Sequence, residues 1–285
     1  MKCYDCPRAC GADRDGGEYG ACRCGRNARI AKVIDGFDYE EPCLGTVTAV
    51  FFGGCALGCS YCQNREISRG SVGAEYSDAE LAALFDRAKH SLDLVTPSHF
   101  IGAIERASEL RKNKTIGIIY NTSGYETIRA VERAARFTDV FLTDYKYSDA
   151  CTGERFSHAP DYFTVAAKAV AAMRRAVADE WSLENGRKIL KRGLIVRHLV
   201  LPGCVENTIK ALDVIADVAG TDVTLSLMSQ FTPNGAGEPN RRLGKLEYKI
   251  AIEHALKLGF KNGYMQEPSS ADGKYTPDFG EANKK

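Results

Sequence analysis

The run Phe51-Phe52-Gly53-Gly54-Cys55-Ala56-Leu57-Gly58-Cys59-Ser60-Tyr61-Cys62-Gln63-Asn64 sets three cysteines at C-x3-C-x2-C in one short loop. Gly53, Gly54 and Gly58 give the backbone the freedom to wrap around a metal or cluster. Thiolates select zinc, copper(I) or iron–sulfur clusters and exclude magnesium and calcium. The count narrows this further. A closed structural site takes four protein ligands, whereas three leave one coordination position for water or substrate. A four-iron cluster on three thiolates has one iron without a protein ligand. Zinc needs a fourth ligand, and the neighbours on offer, Cys43 before the loop and His90 well after it, are poorly placed. Three incidental core cysteines are the remaining alternative.

Cys55-x3-Cys59-Ser60-Tyr61-Cys62-Gln63-Asn64 resembles the signature of the radical S-adenosylmethionine (SAM) enzymes, and among them is similar to the pyruvate formate-lyase activating enzymes and their relatives. The resemblance implies a [4Fe-4S] cluster on Cys55, Cys59 and Cys62, with SAM on the open iron. It also implies reductive cleavage to a 5′-deoxyadenosyl radical, with cofactors carrying the hard chemistry and protein positioning them. Tyr61 would lie near adenine, and Asn64 would contact SAM or the cluster.

A second cysteine group opens the chain: Cys3-x2-Cys6-Pro7-Arg8-Ala9-Cys10, then Cys22-Arg23-Cys24. Four thiols satisfy either a structural zinc or a second iron–sulfur cluster. Cys3, Cys6, Cys10 and Cys22 are the expected ligands, with Cys24 spare. The alternative is an arm that only staples onto the rest. Residues 1–45 read as this cysteine-rich arm, 46–267 as the main unit and 268–285 as a polar tail or flap. Within the arm Ile30 to Ile34 is strand-like, and Asp38 to Glu41 reads as a solvated acidic patch.

The elements that must hold the loop follow from periodicity. Apolar runs at Thr46 to Phe52, Leu92 to Thr96, Thr115 to Tyr120, Val140 to Thr143, Leu194 to Leu201 and Val223 to Met228 alternate with helical patterns. Those helices lie near Ser77 to Ala88, Ile101 to Leu110, Ile128 to Ala135, Phe163 to Ala178, Ile209 to Ala219 and Lys245 to Lys257. Ser77-Asp78-Ala79-Glu80 is a capping box, and Gly259 a C-terminal stop. Repeated strand–helix units give parallel strands with right-handed crossovers, in a barrel or a doubly wound sheet. The resemblance implies the former: an α/β fold, a partial (β/α)6 radical SAM barrel with a cysteine-rich N-terminal arm.

In such a barrel chemistry gathers where strands end. There stand Thr96 and Ser98, Asn121 and Ser123, Asp144 and Lys146, Arg197 and His198, Cys204, and Ser229 to Thr232. Singly, these read as turns or surface pairs; together they describe a polar mouth for a zwitterionic cofactor. By resemblance, Asp144-Tyr145-Lys146 is a D-x-K segment near SAM, Asn121 to Gly124 a turn beside its carboxylate, and Arg197 with His198 nucleoside contacts. One departure stands out: the family's Gly-Gly-Glu, which binds the SAM amino group, is replaced by Val95-Thr96-Pro97-Ser98-His99. Thr96 and Ser98 would have to substitute. Cys204 is either a hydrogen-atom donor to a substrate radical or a packed thiol, and Cys151 carries the same two readings.

The 285 residues, 44% hydrophobic, suffice for one core, and 38 Lys+Arg against 37 Asp+Glu announce no polyanion partner. No signal-peptide core or long apolar span appears, and metal-type cysteine spacing suits a reducing, cytoplasmic compartment. The expected activity is hydrogen abstraction from a protein or peptide, with a glycyl radical enzyme as the target the resemblance suggests and a flavodoxin- or ferredoxin-like electron donor. Radical modification or epimerisation of a peptide or small molecule, and a non-enzymatic iron–sulfur or zinc protein, are the alternatives. Neither a nucleic acid nor a membrane is expected as partner.

Overall fold

The computed structural model describes residues 2–38, 41–69, 72–235 and 237–266. The expected tail, 268–285, lies outside them. In chain order the elements are β1 (Ala28–Asp38), β2 (Thr46–Phe52), α1 (Arg65–Arg69), β3 (Ala74–Tyr76), α2 (Asp78–Asp86), β4 (Ser91–Val95) and α3 (Ile101–Leu110). Next come β5 (Ile118–Thr122), α4 (Ile128–Ala134), β6 (Val140–Asp144), α5 (Ala150–Ser157), α6 (Tyr162–Ala176), β7 (Glu180–Glu184) and β8 (Arg187–Leu199). The last are α7 (Val205–Ala219), β9 (Thr224–Met228), α8 (Lys245–Leu258) and β10 (Asn262–Met265).

Strands run β10-β9-β8-β6-β5-β4-β2-β1-β3 in one sheet, with β7 paired to β8. From β2 to β10 every neighbouring pair is parallel. β1 joins β2 antiparallel, and β3 joins β1 antiparallel. The two ends of this order are not paired with each other, so the curved sheet is a partial barrel and not a closed one. Each expected parallel strand is present, although Thr115 to Tyr120 moves to Ile118–Thr122. The sheet also starts earlier than read: Ile30 to Ile34 is the middle of an eleven-residue strand.

Side-chain alternation sorts the strands into an inner and an outer face. Ala49 and Phe51 of β2, Ile119 of β5, Leu142 of β6 and Ile195 of β8 share one buried cluster inside the curve. Tyr120, Phe141, Leu194 and Val196 pack outward with α4, α6, α7 and α8. Val50, Phe52, Leu92 and Leu94 pack outward with α2 and α3. The α2 cap is as read: Ser77 Oγ accepts from Glu80 N, and Ser77 N donates back to Glu80 Oε2. Gly259 adopts φ +86° at the end of α8. The acidic patch is corrected at Glu41, which is fully buried, while Asp38 is exposed and accepts from Thr46 Oγ1; residues 39–40 lie outside the described residues. Cys43 is packed in the inner cluster. Among the described residues no helix is long and apolar enough to cross a membrane.

Candidate functional site

The loop after β2 carries Cys55, Cys59 and Cys62 to the rim of a cavity of about 210 Å³ at the C-terminal ends of the parallel strands. All three thiols line it. Each sulfur is hydrogen-bonded: Cys55 accepts from Leu57 N at 3.4 Å, Cys59 accepts from Ser157 Oγ at 2.9 Å, and Cys62 shares a hydrogen bond with Ser68 Oγ at 3.5 Å. A hydroxyl chain continues from Ser157 through Tyr147 (2.6 Å) to Tyr61 (2.8 Å), whose ring forms part of the wall against Phe156 and Phe231. Arg69 fixes the far side of the loop by donating to the carbonyls of Gly58 and Cys59. Burial pushes the Cys55 and Cys62 thiols up, and Lys146 pulls against it. Metal binding at these thiols would therefore release protons.

The opposite wall is built by the inward register of the strands. Leu142 faces in, so Asp144 does too; Ile119 implies Asn121, and Ile195 implies Arg197 and Leu199. Lys146 Nζ donates to Asp144 Oδ2 at 2.5 Å and Arg197 Nε to Asp144 Oδ1 at 2.8 Å. Arg197 also donates to Asn121 Oδ1 at 2.8 Å, and Asn121 Nδ2 to Asp93 at 3.2 Å. Burial would raise the Asp144 carboxyl, but Arg197 and Lys146 outweigh it and hold it below its ordinary range. Lys146 is likewise kept charged: burial would lower it, yet Asp144 and Cys59 raise it.

Of the residues read as cofactor contacts, Tyr61, Asn64, Thr96, Asn121, Ser123, Asp144, Lys146 and Arg197 all line this cavity. Three expected residues do not. His198 is fully buried on the outer face, because alternation turns it away from Arg197. Its Nδ1–H donates to Tyr145 O at 2.6 Å and its Nε2 accepts from Thr208 Oγ1 at 3.0 Å; burial lowers its pKa to about 4. Ser98 lies behind the wall, with its hydroxyl on Glu126 and Thr122. Cys204, just ahead of α7, is half-buried outside the lining of this cavity, near Arg155, Glu247 and Arg241. Cys151 is exposed on α5.

Two features escaped the sequence reading. Glu126 is buried beneath Thr122, accepting its hydroxyl at 2.6 Å and that of Tyr120 at 3.4 Å; burial raises its pKa to about 7. Thr96 has φ +63° at the end of β4, a genuine outlier for a β-branched residue. Its place where a glycine pair was expected was the available signal.

Among the described residues no three Cys, His, Asp or Glu groups stand at the spacing of a single bound metal ion. The fit of a cluster rests on the donor set: three thiols on one cavity, each hydrogen-bonded, beside the Lys146 cation. A model of the 4Fe-4S single cluster domain matches residues 43–152. An uncharacterized protein of Methanocaldococcus jannaschii is 26% identical over 275 residues, covering 90% of this chain and 74% of its own. The fold is similar to that of a radical SAM methyltransferase from Sphaerobacter thermophilus, with TM-score 0.53 at 16% identity, over 77% of this chain and 66% of the other. It is also similar to Streptococcus suis SuiB bound to precursor peptide SuiA, with TM-score 0.50 at 11% identity, over 75% of this chain and 46% of that one. The chain thus spans just under two thirds of the methyltransferase and less than half of SuiB. Motif, matched domain and architecture agree: residues 43–152 match the 4Fe-4S single cluster domain, on a fold similar to that of a radical SAM enzyme.

Proposed function

We propose that the chain is a radical SAM enzyme acting on a protein or peptide, with a glycyl radical enzyme as the target its resemblance to activating enzymes suggests. The observation that carries the reading is that Cys55, Cys59 and Cys62 open onto the same cavity as the Lys146–Asp144–Arg197–Asn121 network. When bound, the cluster supplies one electron to the SAM sulfonium, giving methionine and a 5′-deoxyadenosyl radical. The chain's own part is to bind and orient. Lys146 and Arg197 bring two cations to the wall, held in place by Asp144 and, through Asn121, by the buried Asp93, and their N–H groups suit a carboxylate. Tyr61, Phe231 and Met228 supply an apolar stretch beside it. The hydrogen bonds from Leu57 and Ser157, and the one shared with Ser68, tune the cysteine sulfurs. The shared fold of SuiB, seen with a precursor peptide, supports a peptide-sized substrate.

The test is anaerobic reconstitution with iron and sulfide, reduction by dithionite and quantification of 5′-deoxyadenosine from SAM. Product should form with the native chain and vanish in a Cys55→Ala/Cys59→Ala/Cys62→Ala variant. A fully loaded, reduced cluster that yields none would sink the proposal. Deuterium moving from a labelled peptide into 5′-deoxyadenosine would identify the substrate class.

A further inference from the structure

Among the described residues the thiols of the arm, Cys3, Cys6, Cys10 and Cys22 included, do not stand where three of them could hold a metal ion, unlike the expected four-ligand set. What the arm extends to the cluster loop is a guanidinium. Arg8 Nε donates to Ala56 O at 2.8 Å, and its terminal nitrogens donate to the carbonyls of His158 (2.6 Å) and Ser157 (3.1 Å) at the end of α5. The turn that presents it is closed by Ala9 N to Cys6 O and Gly11 N to Cys3 O, both at 3.0 Å, and by Cys3 N to Ala12 O at 2.9 Å. The guanidinium also lies 5.5 Å from the centre of the Tyr125 ring, where a cation is attracted to the aromatic face.

The cluster loop depends on such outside contacts. Within residues 55–62 it makes two bonds of its own among the described residues, Leu57 N to the Cys55 sulfur at 3.4 Å and Cys62 N to Cys59 O at 3.3 Å. The rest is held across long gaps in sequence: Ser60 N donates to Phe156 O at 2.8 Å, Arg69 to the Gly58 and Cys59 carbonyls, and Arg8 to Ala56. Ala56 O and Leu57 N belong to one planar peptide, so pinning the oxygen aims the N–H at Cys55. Ser157 is gripped in the same way: Arg8 holds its carbonyl while its hydroxyl donates to the Cys59 sulfur at 2.9 Å. One side chain therefore orients the donors of two of the three cluster thiols.

The charge that Arg8 brings is not cancelled nearby. Among the described residues it has carbonyl partners and no carboxylate, whereas Lys146 and Arg197 share Asp144. Cluster potentials follow net charge and the hydrogen bonds to the sulfurs, and a positive charge favours the state that holds the extra electron.

We infer that Arg8 is a positioning residue for the cluster: from the arm it locks the Ala56–Leu57 peptide and Ser157 so that their donors stay on Cys55 and Cys59, and its charge raises the reduction potential of the cluster those thiols hold. This rests on the reading of Cys55, Cys59 and Cys62 as cluster ligands, and not on what the radical acts upon.

Amide hydrogen exchange of the full chain, followed by mass spectrometry without cluster or SAM, tests the clamp apart from any radical chemistry. In Arg8→Gln the Leu57, Ser60 and Cys62 amides should exchange several-fold faster, while peptides from β5 and β6 keep native rates. Arg8→Lys should not restore protection, because an ammonium lacks the fixed fork that serves three carbonyls. A redox titration of the reconstituted full chain, read by electron paramagnetic resonance, then measures the charge: the midpoint should fall in Arg8→Gln and fall less in Arg8→Lys. Native exchange of the loop in Arg8→Gln would overturn the inference, and so would full protection in Arg8→Lys. Faster exchange spread evenly over the sheet would make Arg8 a support of the whole fold and overturn it as well, as would an unchanged midpoint in loaded Arg8→Gln. A native chain whose midpoint depends on Arg8 but which forms no 5′-deoxyadenosine would sink the proposed function and leave this inference standing.

Discussion

Asp144 on the cavity side and Glu126 on the far side of the same sheet are both buried carboxyl groups near the ends of adjacent strands, yet they titrate in opposite directions. Asp144 has two cations within 2.8 Å and stays ionised. Among the described residues Glu126 has only hydroxyls, from Ser98, Thr122 and Tyr120, and its Oε2 has no partner. Hydroxyl donors lower a carboxyl pKa, but here desolvation outweighs them and the value reaches about 7. Glu126 is the more deeply buried, at 2% exposure against 14% for the Asp144 side chain, and formal charge at hydrogen-bond distance drives the two further apart. The cavity side therefore holds a fixed ion-pair network, and the far side a carboxyl that takes up its proton near neutral pH.

Asp144→Asn should have the largest effect. Lys146 and Arg197, at 16% and 13% side-chain exposure, would lose the Asp144 charge between them, and breaking a buried pair from one side costs about 3–5 kcal/mol. Urea denaturation of the two proteins measures this. A loss below about 1 kcal/mol would put the triad with solvent-screened surface pairs and dissolve the contrast.

Glu126→Gln comes next, through pH. The folded pKa is about 7 against an ordinary 4.5, so between those values the native state keeps a proton that the unfolded chain has lost. Stability from this group is intact below about pH 4.5, falls as pH rises, and is lowest above about pH 7, by about 3 kcal/mol for a shift of this size. The glutamine variant should lack that slope and be the more stable protein at pH 8. Equal slopes in both proteins would assign the pH dependence elsewhere. Asp144 acts with the opposite sign: its contribution is lost only as pH falls through its lowered pKa.

The cavity face was legible in the sequence because its residues follow apolar runs whose inward phase carries straight on: Leu142 to Asp144, Ile195 to Arg197, Ile119 to Asn121. The same rule, applied one residue at a time, would have turned His198 outward. Ser98 and Glu126 were opaque for another reason: they lie beyond the strands, in a short 3-10 turn and a loop, where no period fixes direction. The β7–β8 hairpin did have a signal, since Asn185 and Gly186 take φ +49° and +78° between the paired strands, the conformation that Asn-Gly favours. β10 and α5 had none of comparable strength. Both are short, and β10 owes its place to pairing with β9 rather than to its own pattern.

Thr96 sits where the two faces meet, and its substitution should give the smallest change. Its φ of +63° costs a β-branched residue about 1–2 kcal/mol, and the Thr96 N to Asn121 O bond at 2.8 Å is part of what holds it there. Thr96→Gly removes that strain but adds about 0.5–1 kcal/mol of chain entropy on folding, so a net stabilisation of about 0.5 kcal/mol is expected by urea denaturation. The strain is explained if the hydroxyl, on the cavity wall, meets the cofactor's amino group in place of the missing acidic residue. Thr96→Gly should then raise the SAM KM for 5′-deoxyadenosine formation with cluster absorbance unchanged, and Thr96→Ser, which restores the hydroxyl, should bring it back. An unchanged KM in the glycine variant would leave the amino group to backbone carbonyls and mark the Thr96 backbone as a consequence of the sharp Thr96-Pro97 turn alone.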